Sequence, residues 1–165
     1  MPKIERKFLA HYINVTPGGE TDTYFRLGKD LEEYNVELSA EVTTKNNILG
    51  ETSVDITSYA PTASTEPYYA DDGDGLHDFL QSIIDERKVL DDVKTDTIEV
   101  HLWEKSGSDS NTFVAYKESA AIEVQSYGGD YTGYQIPFNV HYLGDRVKGT
   151  FSVTTKTFTA DSSAG

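Results

Sequence analysis

The stretch from Ala120 to Phe158 alternates in polarity over most of its length, and this limits the fold more than any other feature. Ile122 and Val124 alternate with Glu123 and Gln125. Ile136, Phe138, Val140 and Tyr142 alternate with Pro137, Asn139 and His141, and Val147, Phe151 and Val153 with Lys148, Ser152 and Thr154. A period of two places one face of each strand in a core and the other in water. The breaks are glycine turns, chiefly Gly128 to Gly133. A chain with this much strand must pair it into a sheet, and a sheet has edges that need partners or protection.

The pattern recurs upstream. Residues 4–15 read as a first strand and Tyr24 to Leu27 as a short second one. Residues 34–44 alternate throughout, with Val36, Leu38, Ala40 and Val42 on an apolar face and Glu37, Ser39, Glu41 and Thr43 opposite. Lys45, Asn46 and Asn47 suggest a turn. Residues 50–59 return with Val54 and Ile56 on one face and Ser53, Asp55 and Thr57 on the other. Residues 60–67, with two prolines among small polar residues, read as a loop. Residues 96–105 and 112–118 read as strands joined by a hairpin loop at 107–111.

One segment keeps a different period. Leu76, Phe79, Leu80, Ile83, Ile84 and Leu90 share a face at 3.6-residue spacing, which predicts a helix over about residues 75–90. Asp74 suits its N-cap, and Arg87 and Lys88 suit its C-terminal end. The expected fold class is therefore mostly β: an antiparallel β-sandwich or barrel with one flanking α-helix. Residues 1–159 are expected to form one domain and residues 160–165 a flexible tail.

The formal net charge is -14, from 28 acidic against 14 basic residues. Residues 66–100 carry the largest share, with eleven acids against three bases. Such a surface repels nucleic acid and anionic membranes. There is no cysteine, so disulfides, thiol catalysis and cysteine-bound zinc are excluded together. The composition is compatible with a reducing cytoplasm. No apolar run approaches the ~20 residues that span a bilayer, and the N-terminus lacks the apolar core of a signal peptide.

Candidate chemistry is sparse. Asp71, Asp72 and Asp74 resemble part of a calcium loop, but Leu76 stands where a further oxygen ligand is wanted, so helix capping is the better reading. His11, His77, His101 and His141 show no metal-ligand spacing. Glu99, His101 and Trp103 share a strand face, yet no nucleophile accompanies them. The glycines from Gly128 to Gly133 lead into another strand, which suits a hairpin and not a phosphate loop. The expectation is a non-enzyme with no catalytic residue, no cofactor and no metal site. Tyr127, Tyr131 and Tyr134 cluster around the glycine turn as an aromatic contact surface. Pro137 cannot donate to a ladder, so its strand is expected at an edge or a bulge.

The order of these pieces resembles the bacteriophage and prophage major tail tube proteins. The likeness runs from Thr52 to Thr159 and is carried by TSVDITSYAPTASTEPYY, by GLHDFLQSIIDERKVLDDVKTDTIEVHLWE and by AIEVQSYGGDYTGYQIPFNVHYLGDRVKGTFSV. The resemblance implies a virion protein, assembled in the host bacterial cytoplasm, whose hexameric rings stack into a tube. It implies as partners other copies of the chain, the tape-measure protein and the tail terminator and initiator proteins. DNA would pass through the lumen without specific binding, and no membrane would be involved. On this basis Glu37, Ser39, Glu41, Thr43, Ser53, Asp55 and Thr57 are lumen-facing candidates. Lys45, Asn46, Asn47, Ile48, Leu49 and Gly50 form the candidate ring-stacking loop, with residues 60–67 as a second candidate. Tyr127, Tyr131, Tyr134 and Pro137 are candidate subunit contacts. The alternative is a carbohydrate- or protein-binding β-sandwich module using Trp103 or the three tyrosines; a small acidic hydrolase is a third reading.

Overall fold

The computed structural model describes residues 2–28, 31–107 and 110–161. In chain order the elements are β1 (Leu9–Asn14), β2 (Tyr24–Leu27), β3 (Leu31–Glu37), β4 (Ala40–Asn46), β5 (Thr52–Tyr59), β6 (Thr62–Tyr68), α1 (Gly75–Glu86), β7 (Lys94–Lys105), β8 (Thr112–Val124), β9 (Gly128–Asp130), β10 (Gly133–Gln135), β11 (Phe138–Ser152) and β12 (Thr157–Ala160). The protein is mostly β, antiparallel throughout, with one α-helix, as the alternation requires. The main sheet has the order β2-β1-β7-β8-β11-β6-β3, with β12 added to the end of β11. It is not closed: β2 and β3 stand at its two ends. Arg6 bonds the carbonyls of Leu9 and Tyr34, at 2.6 and 2.8 Å, and so ties the chain ahead of β1 to β3. Among the described residues no helix is long and apolar enough to cross a membrane.

The long pair β8–β11 is the spine. Its register runs from Phe138↔Val124 to Ser152↔Thr112, with an irregularity between Tyr142 and Arg146. Opposite faces of the sheet serve two cores. Ile122, Phe138 and Val140 pack with Ile13, Tyr68 and Ile136 beneath α1. Ala115 and Phe151 pack with Ala10, Tyr12, Tyr24, Ile98 and Val100. The two stretches expected as separate strands, around 136–142 and 147–153, are thus largely one continuous strand.

The helix buries Leu76, Phe79, Leu80, Ile83 and Ile84, the face its spacing predicts. It ends earlier than expected. Arg87 adopts a left-handed conformation at φ 50°, and the backbone N–H of Lys88 closes on the carbonyl of Ile83 at 3.2 Å. Leu90, expected on the helix's apolar face, lies beyond this cap and is 81% exposed. Asp74 does occupy the N-cap position, but its side chain makes no cap bond; it accepts instead from the Tyr68 hydroxyl at 3.3 Å.

Four further differences bear on the site. Residues 62–67 of the expected loop, together with Tyr68, form the interior strand β6 between β3 and β11. Before the buried Tyr68 at its end, its buried residues are small: Ala63 and Thr65, whose hydroxyl bonds the backbone of Phe138. Small residues at those two buried positions, between two prolines, hide the apolar alternation. Next, the strand expected over 34–44 breaks at Ser39, whose φ is 47°. Pro137, expected at an edge or a bulge, lies just ahead of β11, which is interior and not an edge; the irregularity β11 does carry, between Tyr142 and Arg146, is away from the proline. Its carbonyl accepts from the backbone of Gln125 at 3.1 Å. Lastly, Ala160 closes β12, while residues 162–165 of the expected tail, and Ser108 and Asp109 of the expected hairpin loop, lie outside the described residues.

Candidate functional site

Beyond Ser39 the chain leaves the main sheet. β4 and β5 pair with each other and with no other strand, forming an arm whose residues, apart from the half-buried Thr43, are exposed. At its base the backbone N–H of Ala60 bonds the carbonyl of Leu38 at 3.1 Å. The register sorts the side chains. Val42 faces Ile56, Thr44 faces Val54 and Ala40 faces Tyr59, which makes one side largely apolar. Thr43 faces Asp55, Lys45 faces Ser53 and Glu41 faces Ser58, which makes the other side polar. The Ser58 hydroxyl donates to Glu41 Oε2 at 3.1 Å.

The seven residues expected on one polar face therefore divide. Glu41, Thr43, Ser53 and Asp55 share it, joined by Lys45 and Ser58. Thr57 is the extra residue of the register shift between Glu41 and Val42, which interrupts the alternation there. Ser39 forms the bend, and Glu37 lies on β3, opposite Thr62 of the main sheet. The apolar side, expected to face a core, meets none among the described residues: Val42, Val54, Ile56 and Tyr59 are each more than half exposed.

The expected stacking loop also divides. Lys45 and Asn46 belong to β4, and the turn proper begins at Asn47. Asn47 Oδ1 accepts from the backbone of Leu49 at 2.9 Å and of Glu51 at 3.0 Å. Gly50, at φ 83°, supplies the left-handed residue that closes the turn. The result is a hydrogen-bonded tip presenting Ile48 and Leu49, 103% and 77% exposed. The second loop candidate, residues 60–67, is mostly β6 and not a projecting loop.

The glycine turn forms the hairpin β9–β10, with Tyr131 fully exposed at its end. Tyr134 turns instead onto the helix, where its hydroxyl donates to Gln81 Oε1 at 2.8 Å and its ring meets His77 edge-on. Tyr127 lies beside Arg87, 5.8 Å from its ring centroid. Tyr127 and Tyr134 thus meet different partners while Tyr131 is exposed, so the three do not form one surface. Among the described residues no group of three or more histidines, cysteines and acids is placed to hold a metal ion.

A second site lies at the foot of the arm. A cavity of about 350 Å³ is lined by Leu38 and Tyr59 from the arm's base and by His11, Glu99, Tyr116, Glu118, Tyr142 and Arg146 from the main sheet. Cross-strand pairing assembles it: His11 faces Glu99, Glu99 faces Tyr116, and Glu118 faces Arg146. Glu99 Oε2 lies 2.8 Å from both His101 Nε2 and an Arg146 nitrogen. Arg146 also lies over the Tyr116 ring at 4.2 Å, and His101 stacks on Trp103 at 4.6 Å. The hydroxyls of Tyr34 and Tyr142 meet at 2.7 Å.

Burial and bonding act on these groups in opposite senses. Burial opposes ionisation of Glu99, but the bonds from His101 and Arg146 outweigh it and hold the carboxyl below its usual range. Glu118 goes the other way, because burial raises its pKa against the pull of Arg146. Burial lowers His11 to about 4 and raises Tyr142 to about 12. Glu99 and His101 were visible in the sequence as neighbours on one strand face. His11, Glu118 and Arg146 were not, because three strand registers bring them together. No protein-family model matches the chain, and no match to a curated protein was found.

Proposed function

We propose that the chain is a structural subunit of a phage tail tube, self-assembling as stacked hexameric rings. The observation that carries this reading is the β4–β5 arm, with an apolar side left exposed among the described residues. Exposed strand and apolar surface on one element favour association by strand addition and side-chain burial. A neighbouring copy is the natural cover for Val42, Val54 and Ile56. The opposite side, with Glu41, Thr43, Ser53 and Asp55, would then face a water-filled lumen. Its carboxylates would keep passing DNA from adhering, since phosphates are held chiefly by cations. The Ile48–Leu49 tip suits contact with the next ring. In this role the tube would hold the tape-measure protein, end on terminator and initiator proteins, and reside in the virion after assembly in the host cytoplasm. No catalytic step or cofactor is needed.

A carbohydrate- or protein-binding module is the second reading. Trp103, 39% exposed and stacked on His101, and the exposed Tyr131 favour it. Sedimentation velocity over a concentration series separates the two. The tube reading predicts concentration-dependent assembly that the double substitution Val42→Asp with Ile56→Asp abolishes. Each lost contact is worth ~1.5 kcal/mol or more, so self-association should weaken by at least ~100-fold while the fold survives. A wild-type monomer at every concentration, or assembly unchanged in the variant, would contradict this role for the arm.

A further inference from the structure

In the cavity at the foot of the arm, two carboxylates share one guanidinium. Glu99 and Glu118 both border it, and Arg146 is the cation between them. Arg146 Nη2 is committed to Glu99 at 2.8 Å, whereas its Nη1 stands 3.7 Å from Glu118, beyond hydrogen-bond distance. The Glu118 side chain is only 10% exposed, and no hydrogen bond reaches its carboxylate among the described residues. A carboxylate so deeply placed is costly when its counter-ion stands off and no donor reaches it.

The walls suit an organic cation. Tyr59, Tyr116 and Tyr142 border the cavity. The Arg146 guanidinium lies over the Tyr116 ring at 4.2 Å, a cation–π arrangement of the kind such walls allow. The volume, about 350 Å³, lies at the small end of the ~300–1,000 Å³ range of ligand pockets. An ammonium head is compact and carries three donors, and its methylene chain can lie along tyrosine rings. We propose that this cavity binds an alkylammonium ion, with Glu118 as its ion-pair partner and the tyrosine rings sheltering its methylenes. The cation comes either from a free aliphatic amine or from a lysine side chain of a partner. The site is complete within one subunit and does not depend on tube assembly.

Titration of the isolated chain by amide NMR near neutral pH tests this. The probes are 1,5-diaminopentane, N-acetyl-lysine N-methylamide and, as the uncharged analogue, pentan-1-ol. Both amines should give saturable shifts centred on Tyr116, Glu118 and Tyr142, and the alcohol none. Glu118→Gln should weaken amine binding by about tenfold or more, while the exposed Glu123→Gln leaves it unchanged. Where Glu118→Gln perturbs the fold, Tyr116→Leu tests the same contact from the aromatic wall and should also weaken binding. Tighter binding of the diamine identifies a free amine as the source, and tighter binding of the lysine amide identifies a partner's side chain. Shifts that fail to saturate, that spread over the acidic surface, or that persist in both variants would overturn the proposal.

Discussion

Burial carries the imidazole of His11 down from 6.5 to about 4, so the folded protein holds it neutral where an unfolded chain would protonate it. The sign follows from linkage. The unfolded state binds the extra proton, so the stability His11 contributes is intact above pH 6.5 and is lost as pH falls from 6.5 through 4. The shift corresponds to about 3 kcal/mol. Glu118 acts in the opposite sense, its raised pKa favouring the fold toward acid. Comparing variants therefore isolates the histidine. Urea midpoints measured across this window should fall steeply in the wild type and less steeply in His11→Gln. Equal slopes would contradict the account. At this scale the sequence was only partly legible. Alternation correctly grouped Glu41 with Thr43, and Ser53 with Asp55. It misjudged Thr57 because a one-residue register shift interrupts the period, and it could not bring Glu118 toward Glu99, which depends on the pairing of β7, β8 and β11.

Among the elements, the arm is defined by what it lacks. Its strands carry the same alternation as the core strands, yet Ser39 turns them off the sheet before they can pack. Periodicity reports that one side is apolar but not what covers it, which is why the apolar side was expected to face this subunit's own core. The helix was legible because its 3.6-residue face is long and apolar. Its end was not, because the left-handed turn falls on Arg87 and not on a glycine. β6 was missed because Ala63 and Thr65 fill an interior position with little apolar bulk. The chain has no cysteine, so Val42→Cys introduces a single thiol on the arm's apolar side. Its labelling should be fast in dilute protein and at least about tenfold slower in assembled material, as buried positions open only rarely. Equal rates in the two samples would place the apolar side outside any interface.

For the whole molecule, two features bear on assembly. The main sheet ends openly at β2 and β3, and the arm projects from the β3 side of that sheet. The net charge of -14 acts against casual aggregation, so association must be specific enough to overcome repulsion. Strand content, antiparallel pairing and the single helix followed from residue periodicity. The strand order did not, because β6 and β3 join the far side of β11 through contacts distant in sequence. Negative-stain electron microscopy of the concentrated wild-type chain tests the central claim most directly. The account predicts ring-shaped end views with six-fold symmetry and side views of stacked rings with a stain-filled lumen. A field of small, separate particles at every concentration, in the presence and absence of preformed tube ends, would contradict it.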